Sequence, residues 1–187
     1  MAAGGTPSNI DLGPGRLYYA PLGTAEPANC SSALPSAWIP VGYTEDGTSF
    51  TVNITSDSIE VAEEIDPVLF VQSKRTTQFQ VNMAESTKKR LALALGAGAG
   101  QTDDSTPFEW PDASTVVSGV MFVWDYMDTP DATNKRWLVR QATPSGTVAI
   151  ARKKSPAKTL IGVTFDCAKP SSTTKSIKVF PSSTGLI

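Results

Sequence analysis

A strict alternation of apolar and polar side chains through the middle of the chain most narrows what it can fold into. In Thr77-Gln78-Phe79-Gln80-Val81-Asn82-Met83, the apolar residues Phe79, Val81 and Met83 alternate with Gln78, Gln80 and Asn82. Successive side chains of a strand point to opposite faces, so this period of two predicts a half-buried strand with Phe79 inward and Gln80 outward. Phe50, Val52 and Ile54 alternate in the same way with Thr51, Asn53 and Thr55, and the pattern restarts at Ile59 and Val61 with Ser58 and Glu60 between. After the acidic turn Glu63-Glu64-Ile65-Asp66-Pro67, the run Val68-Leu69-Phe70-Val71 leads into the strand that reaches Asn82. Two-faced strands belong to an antiparallel sheet that covers a core with one side only; the other side meets water or a channel.

The period then changes. From Glu85 onward, Leu91 and Leu95 stand four apart with Ala94 beside them, while Lys88, Lys89 and Arg90 cover another side. That is a short amphipathic helix over about residues 85–95, whose Leu91 and Leu95 are expected to pack on the core. Asn82 or Ser86 is expected to cap its first turn, and Gly96 to stop it in a left-handed conformation before Gly98 and Gly100. Elsewhere, strands are predicted over Arg16–Ala20, Trp38–Tyr43, Val116–Tyr126, Trp137–Ala142, Thr147–Arg152, Leu160–Ala168 and Ser176–Phe180. Gly119 is a candidate bulge, and Met127–Lys135 reads as a loop. Short strands separated by Pro, Gly and Ser point to a mainly β antiparallel sandwich or barrel with one flanking helix. Residues 1–15, rich in glycine and proline, form a flexible arm, and 16–187 a single β-domain with room for an outward-facing part within 100–187.

Function classes fall away quickly. The chain has no histidine, which removes Ser-His-Asp and Cys-His nucleophile activation and histidine-ligated zinc. Cys30 and Cys167 are two lone thiols with no Cys-x-x-Cys pair, and no apolar run is long enough to span a bilayer. With no basic-plus-apolar leader at Met1, the expectation is a soluble protein made in a cytoplasm, where the Asn29-Cys30-Ser31 and Asn53-Ile54-Thr55 sequons stay unmodified. Gly96-x-Gly98-x-Gly100 follows a helix instead of joining a strand to one, so it is no phosphate loop. Glu60, Glu63, Glu64 and Asp66 lack the spacing of a calcium loop and read as a solvated turn. Arg152-Lys153-Lys154 and Lys158 carry none of the interleaved aromatic residues that grip nucleic acid. The expected protein is not an enzyme and holds no metal or cofactor.

The net charge of −2 conceals segregation: residues 1–66, 67–102, 103–131 and 132–187 carry balances of −8, +4, −7 and +9. Such blocks serve either self-association or neutralisation within one subunit.

Three stretches together resemble the major tail tube subunits of long-tailed, siphovirus-type bacteriophages. They are Gly15-Arg16-Leu17-Tyr18-Tyr19-Ala20-Pro21-Leu22-Gly23-Thr24, Trp38-Ile39-Pro40-Val41-Gly42-Tyr43-Thr44-Glu45-Asp46-Gly47, and Phe79–Thr87 running into Leu91-Ala92-Leu93-Ala94-Leu95-Gly96. The likeness covers about the first hundred residues and is general beyond them. It implies a β-sandwich with one helix, and hexameric rings stacked head to tail. Long hairpins from six subunits would then fuse into one barrel around a channel for DNA in transit. With four strands from each of six subunits, 24 strands at ~4.8 Å and a ~40° tilt give a backbone diameter of about 48 Å, wide enough for a duplex. The resemblance further implies a virion tail assembled in the host bacterial cytoplasm. The implied partners are other copies of the chain, a tape measure protein in the lumen, tail tip and tail terminator proteins, and DNA passing without specific binding. In that setting Thr51, Asn53, Thr55, Glu60, Gln78, Gln80 and Asn82 are the expected lumen-facing residues. A ring subunit of a related contractile or secretion-system tube, or a β-sandwich binding module on a virion surface, remains open as an alternative.

Overall fold

The computed structural model describes residues 15–97, 105, 107–112, 114–128, 133–151, 154 and 157–180. They form eight strands and one helix: β1 (Gly15–Pro21), β2 (Ile39–Pro40), β3 (Thr44–Ile59), β4 (Leu69–Met83), α1 (Lys88–Ala94), β5 (Val120–Asp128), β6 (Thr133–Ala151), β7 (Leu160–Cys167) and β8 (Ile177–Phe180). All pairings are antiparallel, in the order β2-β1-β5-β6-β7-β4-β3, with β8 beside β6. The protein is mainly β with one flanking helix, as the alternation predicts. The sheet is not closed into a barrel: β2 and β3 stand at its two ends and do not pair with each other.

The sheet folds over on itself, and aromatic rings show where. Phe50 of β3 stacks on its cross-strand partner Phe79 at 5.3 Å, and lies 5.7 Å from Trp124 of β5 and 5.2 Å from Trp137 of β6. Phe79, Phe122 and Phe165 form a mutually contacting trio with centroids 4.8–5.3 Å apart. Around them lie Tyr19, Val41, Val81, Met83, Leu93, Ile161 and Val163, all buried in one core. A second cluster of Ala20, Cys30, Trp38, Met121, Val123, Leu138 and Phe180 covers the other face of β1, β5 and β6. Covering both faces explains why Val120-Met121-Phe122-Val123-Trp124 is continuously apolar while β4 and β7 alternate.

Several boundaries differ from the sequence reading. The helix begins at Lys88, not Glu85, and its cap is Thr87, whose hydroxyl accepts from the Arg90 amide at 3.4 Å. Asn82 cannot serve because it still belongs to β4, and Ser86 is one residue early. Gly96, at φ +77°, ends the helix as expected. Leu93, Ala92 and Ala94 are fully buried, whereas Leu91 and Leu95 are half-buried at the margin. The two strands expected over Trp137–Ala142 and Thr147–Arg152 are one, β6, because Pro144 keeps its place opposite Phe165 and a register shift between Ser145 and Ala149 absorbs the positive-φ Gly146 (+71°). β5 starts at Val120 with Gly119 just outside it, and the shift lies between Val120 and Phe122. The predicted 127–135 loop is shortened by strand at both ends. Of the expected N-terminal arm, Gly15 opens β1 and the rest lies outside the described residues. Residues 120–180 supply β5 to β8 of the same sheet. Cys30 and Cys167 are both free; burial, and then the Asp166 carboxylate, push the Cys167 thiol up to about 11.

Truncating a buried leucine costs ~2 to 5 kcal/mol, through lost burial and the cavity left behind. Leu93→Ala is therefore expected to lower the melting temperature more than Leu91→Ala, whose side chain is already partly solvated. Thermal melts of both variants side by side check this ranking.

Candidate functional site

The candidate site is the hairpin of β3 and β4 together with the polar face that runs from its base. Up to Phe50 and Phe79 the hairpin lies on the core; beyond them it projects. Every residue from Thr51 to Arg75 is exposed, on both faces. The expectation of a half-buried strand therefore holds for Phe79, Val81 and Met83 and stops at the base of the hairpin. The exposed stretch carries Val52, Ile54, Ile59, Val61, Ile65, Val68, Leu69, Phe70 and Val71, with Ile65 at 101 % and Phe70 at 67 % exposure. A run this apolar and open to water marks an interaction surface.

Its edges are open as well. β3 is the last strand of the sheet, and β7 pairs with β4 only from Thr77 to Met83. Among the described residues, the outer edge of β3 and that of β4 from Leu69 to Thr76 pair with no strand. Unpaired edges of this length are ready to receive another strand.

The base of the hairpin is fixed locally. Glu85 accepts a hydrogen bond from the Tyr43 amide at 3.1 Å and lies 3.6 Å from the buried Arg90 guanidinium, which in turn sits over the Tyr19 ring. Gly42 permits this approach: its φ is +86°, and a Cβ there would stand 2.3 Å from the Glu85 carboxylate.

The register decides which side chains share a face. Thr51 pairs with Gln78, Ser49 with Gln80, Asn53 with Thr76 and Thr55 with Lys74. Directly opposed residues in an antiparallel pair point the same way. Of the sequence-predicted lumen residues, Thr51, Asn53, Thr55, Gln78, Gln80 and Asn82 thus lie on one face, opposite to Phe50 and Phe79. Glu60 does not belong to it; it follows the end of β3 in the loop of residues 60–68. The face continues over β7 and β6, where Asp166 opposes both Gln78 and Thr143, and Thr164 opposes both Gln80 and Ser145. The Gln78 side-chain amide donates to Asp166 Oδ1 at 2.8 Å. The result is a four-strand polar face with Asp166 and Lys74 among its few charges. Both were within reach of the sequence, since Lys74 is two steps of two from Gln78, and Asp166 follows the inward series Ile161, Val163, Phe165.

A register shift between Thr55 and Ser56 places one extra β4 residue, Ser73, in the ladder, and its hydroxyl donates to the Thr55 carbonyl at 3.3 Å. Beyond it the pairs are Ser56–Gln72, Asp57–Val71, Ser58–Phe70 and Ile59–Leu69. The extra residue exchanges the faces of β4, so the distal hairpin presents Ile59, Leu69 and Val71 on one side and Phe70 on the other. Both faces of the outer hairpin are thereby apolar in part.

Part of the charge segregation is neutralised within the chain. Glu26 of the acidic first block binds Arg140 of the basic last block at 2.5 and 3.1 Å, with Lys178 at 3.7 Å, and Glu45 pairs with Lys158. Buried Arg136 holds Asp125 bidentately at 2.5 and 2.9 Å and donates to the Asn29 and Ser32 carbonyls, tying down the loop of residues 22–37. Sequence periodicity gave no sign of this clamp. In contrast, Asp57, Glu60, Glu63, Glu64 and Asp66 at the hairpin tip form no ion pair among the described residues. No group of acidic or thiol side chains among the described residues is arranged to hold a metal, and no helix there is long and apolar enough to cross a membrane.

A sheet that carries its own core yet extends an open-edged, apolar hairpin away from it defines a class: a β-structured assembly subunit. The family model for phage tail tube proteins matches residues 9–176, and the chain belongs to that family. It is thus a structural component of a phage tail. No curated protein matches the chain. Among solved structures, a chain of the cryo-EM structure of the anti-feeding prophage baseplate, 6-fold symmetrised, is similar. Identity is 9 % and the TM-score 0.49, covering 94 % of this chain and 97 % of that one.

The Arg140 hydrogen bond holds the Glu26 carboxyl below its usual value of 4.5. A carboxylate with a lowered folded pKa stabilises the protein above its unfolded pKa and loses that contribution as pH falls through the folded value. Glu26→Gln is expected to melt below the wild type at neutral pH, the gap narrowing between about pH 5 and pH 3. Melts of both proteins across that range check it.

Proposed function

We propose that this chain is the tube-wall subunit of a long-tailed phage tail. In this reading, subunits close into hexameric rings that stack head to tail. The four-strand face of β3, β4, β7 and β6 lines the channel through which DNA leaves during ejection. The observation that carries the reading is the projecting hairpin, exposed on both faces and open along both edges. Such an element is costly in isolation and becomes ordinary sheet once a neighbour pairs with it. Joining the β3 edge of one copy to the distal β4 edge of the next is a heterologous contact, which closes into a ring when the rotation permits. Partners follow from the position: a tape measure protein within the channel during assembly, tail tip and terminator proteins at its ends, and DNA in transit. Assembly takes place in the host bacterial cytoplasm.

The chemistry of the face suits a conduit. Duplex DNA carries one negative charge per ~1.7 Å, and each cation that neutralises a phosphate releases a counterion and adds affinity. Hydroxyls and amides at Thr51, Asn53, Gln78, Gln80, Thr143 and Thr164 offer no such gain, and Asp166 repels. Lys74 is a cation on this face, standing opposite Thr55 with Thr76 next to it on the same side.

Negative-stain images of the purified protein at high concentration are expected to show rings or tubes; monomers alone would contradict the reading. The channel assignment has a separate test in Gln80→Lys combined with Asp166→Asn, which adds one positive charge and removes one negative charge per subunit. The asparagine carbonyl still accepts the Gln78 hydrogen bond. Tubes are expected to form and DNA ejection from assembled particles to slow; ejection at the normal rate would remove these residues from the channel.

A further inference from the structure

The strands of the polar face end in opposite chemistry at their two ends. At the outer end, Ile59 pairs with Leu69, and the loop of residues 60–68 joins β3 to β4 beyond them. At the base, Thr44 pairs with Met83, Met83 with Ile161 and Ile161 with Ile150, so β6 ends and β7 begins beside the start of β3. Lys158, just before β7, confirms this level by its ion pair with Glu45, the second residue of β3. The two ends are separated by the sixteen residues of β3, roughly 50 Å at the rise of a strand.

The outer end is acidic and aliphatic. Residues 57–66 hold five carboxylates, which form no ion pair among the described residues, and no basic residue occurs between Arg16 and Lys74. Val61, Ile65 and Val68 stand exposed among them. The base end is aromatic and basic. Tyr43, immediately before β3, is 80 % exposed although its amide donates to Glu85 and its carbonyl accepts from the Ala84 amide, so a fixed backbone presents an open ring. Lys158 keeps 63 % of its side chain exposed beside Glu45, and Lys154 is exposed with no ion pair among the described residues. No acidic residue occurs between Asp131 and Asp166 to offset them in sequence.

We propose that the Glu63-Glu64-Ile65-Asp66 tip of one copy seats against the Tyr43–Lys154–Lys158 end of another copy displaced along the strands, with Ile65 on the Tyr43 ring and the carboxylates toward the two lysines. The inference rests on the self-assembly reading and adds to it which two surfaces meet between successive copies. A sheet with carboxylates at one end and ammonium groups at the other has a direction. Copies that follow one another along it bring unlike charges together, whereas an inverted copy sets acid against acid, so the contact both propagates along a stack and fixes its polarity. It also takes out of water the aliphatic tip and the aromatic ring that a single copy leaves exposed.

A photoreactive benzoylphenylalanine in place of the exposed Tyr43, in a mixture of isotopically heavy and light full-length protein, tests the contact after assembly is confirmed by electron microscopy. Heavy-to-light crosslinks to residues 61–68 are expected. Tubes that yield crosslinks elsewhere, or none between copies, would overturn the contact and leave the tube reading intact; wild-type protein that never assembles would count against the tube reading itself. Should the photoreactive variant fail to assemble, charge reversal decides. Glu63→Lys with Glu64→Lys is expected to raise the onset concentration of assembly roughly tenfold, as like charges at an interface do, and adding Lys154→Glu to lower it again. A lowered onset in the combined variant supports the contact; tip reversal without effect, or a combined variant no better than the tip reversal alone, overturns it.

Discussion

The stack of Phe50 on Phe79, held between Trp124, Trp137 and the Phe122–Phe165 pair, decides how far this protein is a self-sufficient fold. On the body side of that stack, every inward side chain of β4 and β7 meets a partner across the folded sheet. One residue further out, at Thr51 and Gln78, the opposing layer ends. Because strand register is fixed at Phe50–Phe79, the two-residue period then sorts the side chains of the projecting hairpin as far as Thr55 and Lys74, where the extra residue Ser73 exchanges the faces of β4. The rings thus set both the core and the orientation of the surface that leaves it.

Much of this was legible in the chain. The alternation around Phe79 and Phe50 located both strands and sorted their side chains, and Gly96 marked the end of the helix because a left-handed residue was needed there. What periodicity could not show was depth. A strand with one apolar face looks the same whether a second layer covers that face or not, so Val52 and Ile54 read as core although they stand in solvent. The helix erred in the same direction: Leu91 and Leu95 share a side, yet Leu93 and the small alanines beside it make the close contact with the sheet. Glu60 was assigned to the polar face by continuing the alternation past the point where β3 ends. Polar ties such as Arg136 to Asp125 across β5 and β6, and to the Asn29 and Ser32 carbonyls 107 and 104 residues away, leave no periodic pattern in the chain.

The same features account for restraint before assembly. An edge with this much exposed apolar surface is prone to pair indiscriminately, and natural edges are guarded by charge and by bulges. Here the tip carries five acids, Lys74 and Arg75 stand midway, and the Ser73 bulge twists the ladder between them. Like charges at the tip disfavour indiscriminate pairing of one tip with another. The acidic and basic blocks that pair within the chain, Glu26 with Arg140 and Glu45 with Lys158, secure the loop and the start of the hairpin. The five acids of residues 57–66 form no ion pair among the described residues.

The central claim is that the hairpin beyond Phe50 and Phe79 is completed by another copy of the chain. Amide hydrogen exchange in assembled and dissociated protein measures this directly, because an edge amide exchanges quickly until a strand pairs with it. The outward-pointing amides of Thr51–Ile59 and Leu69–Thr76 are predicted to slow by orders of magnitude on assembly, while those of Val120–Trp124, already central in the sheet, stay unchanged. Equal exchange of the hairpin amides in both states would contradict the account.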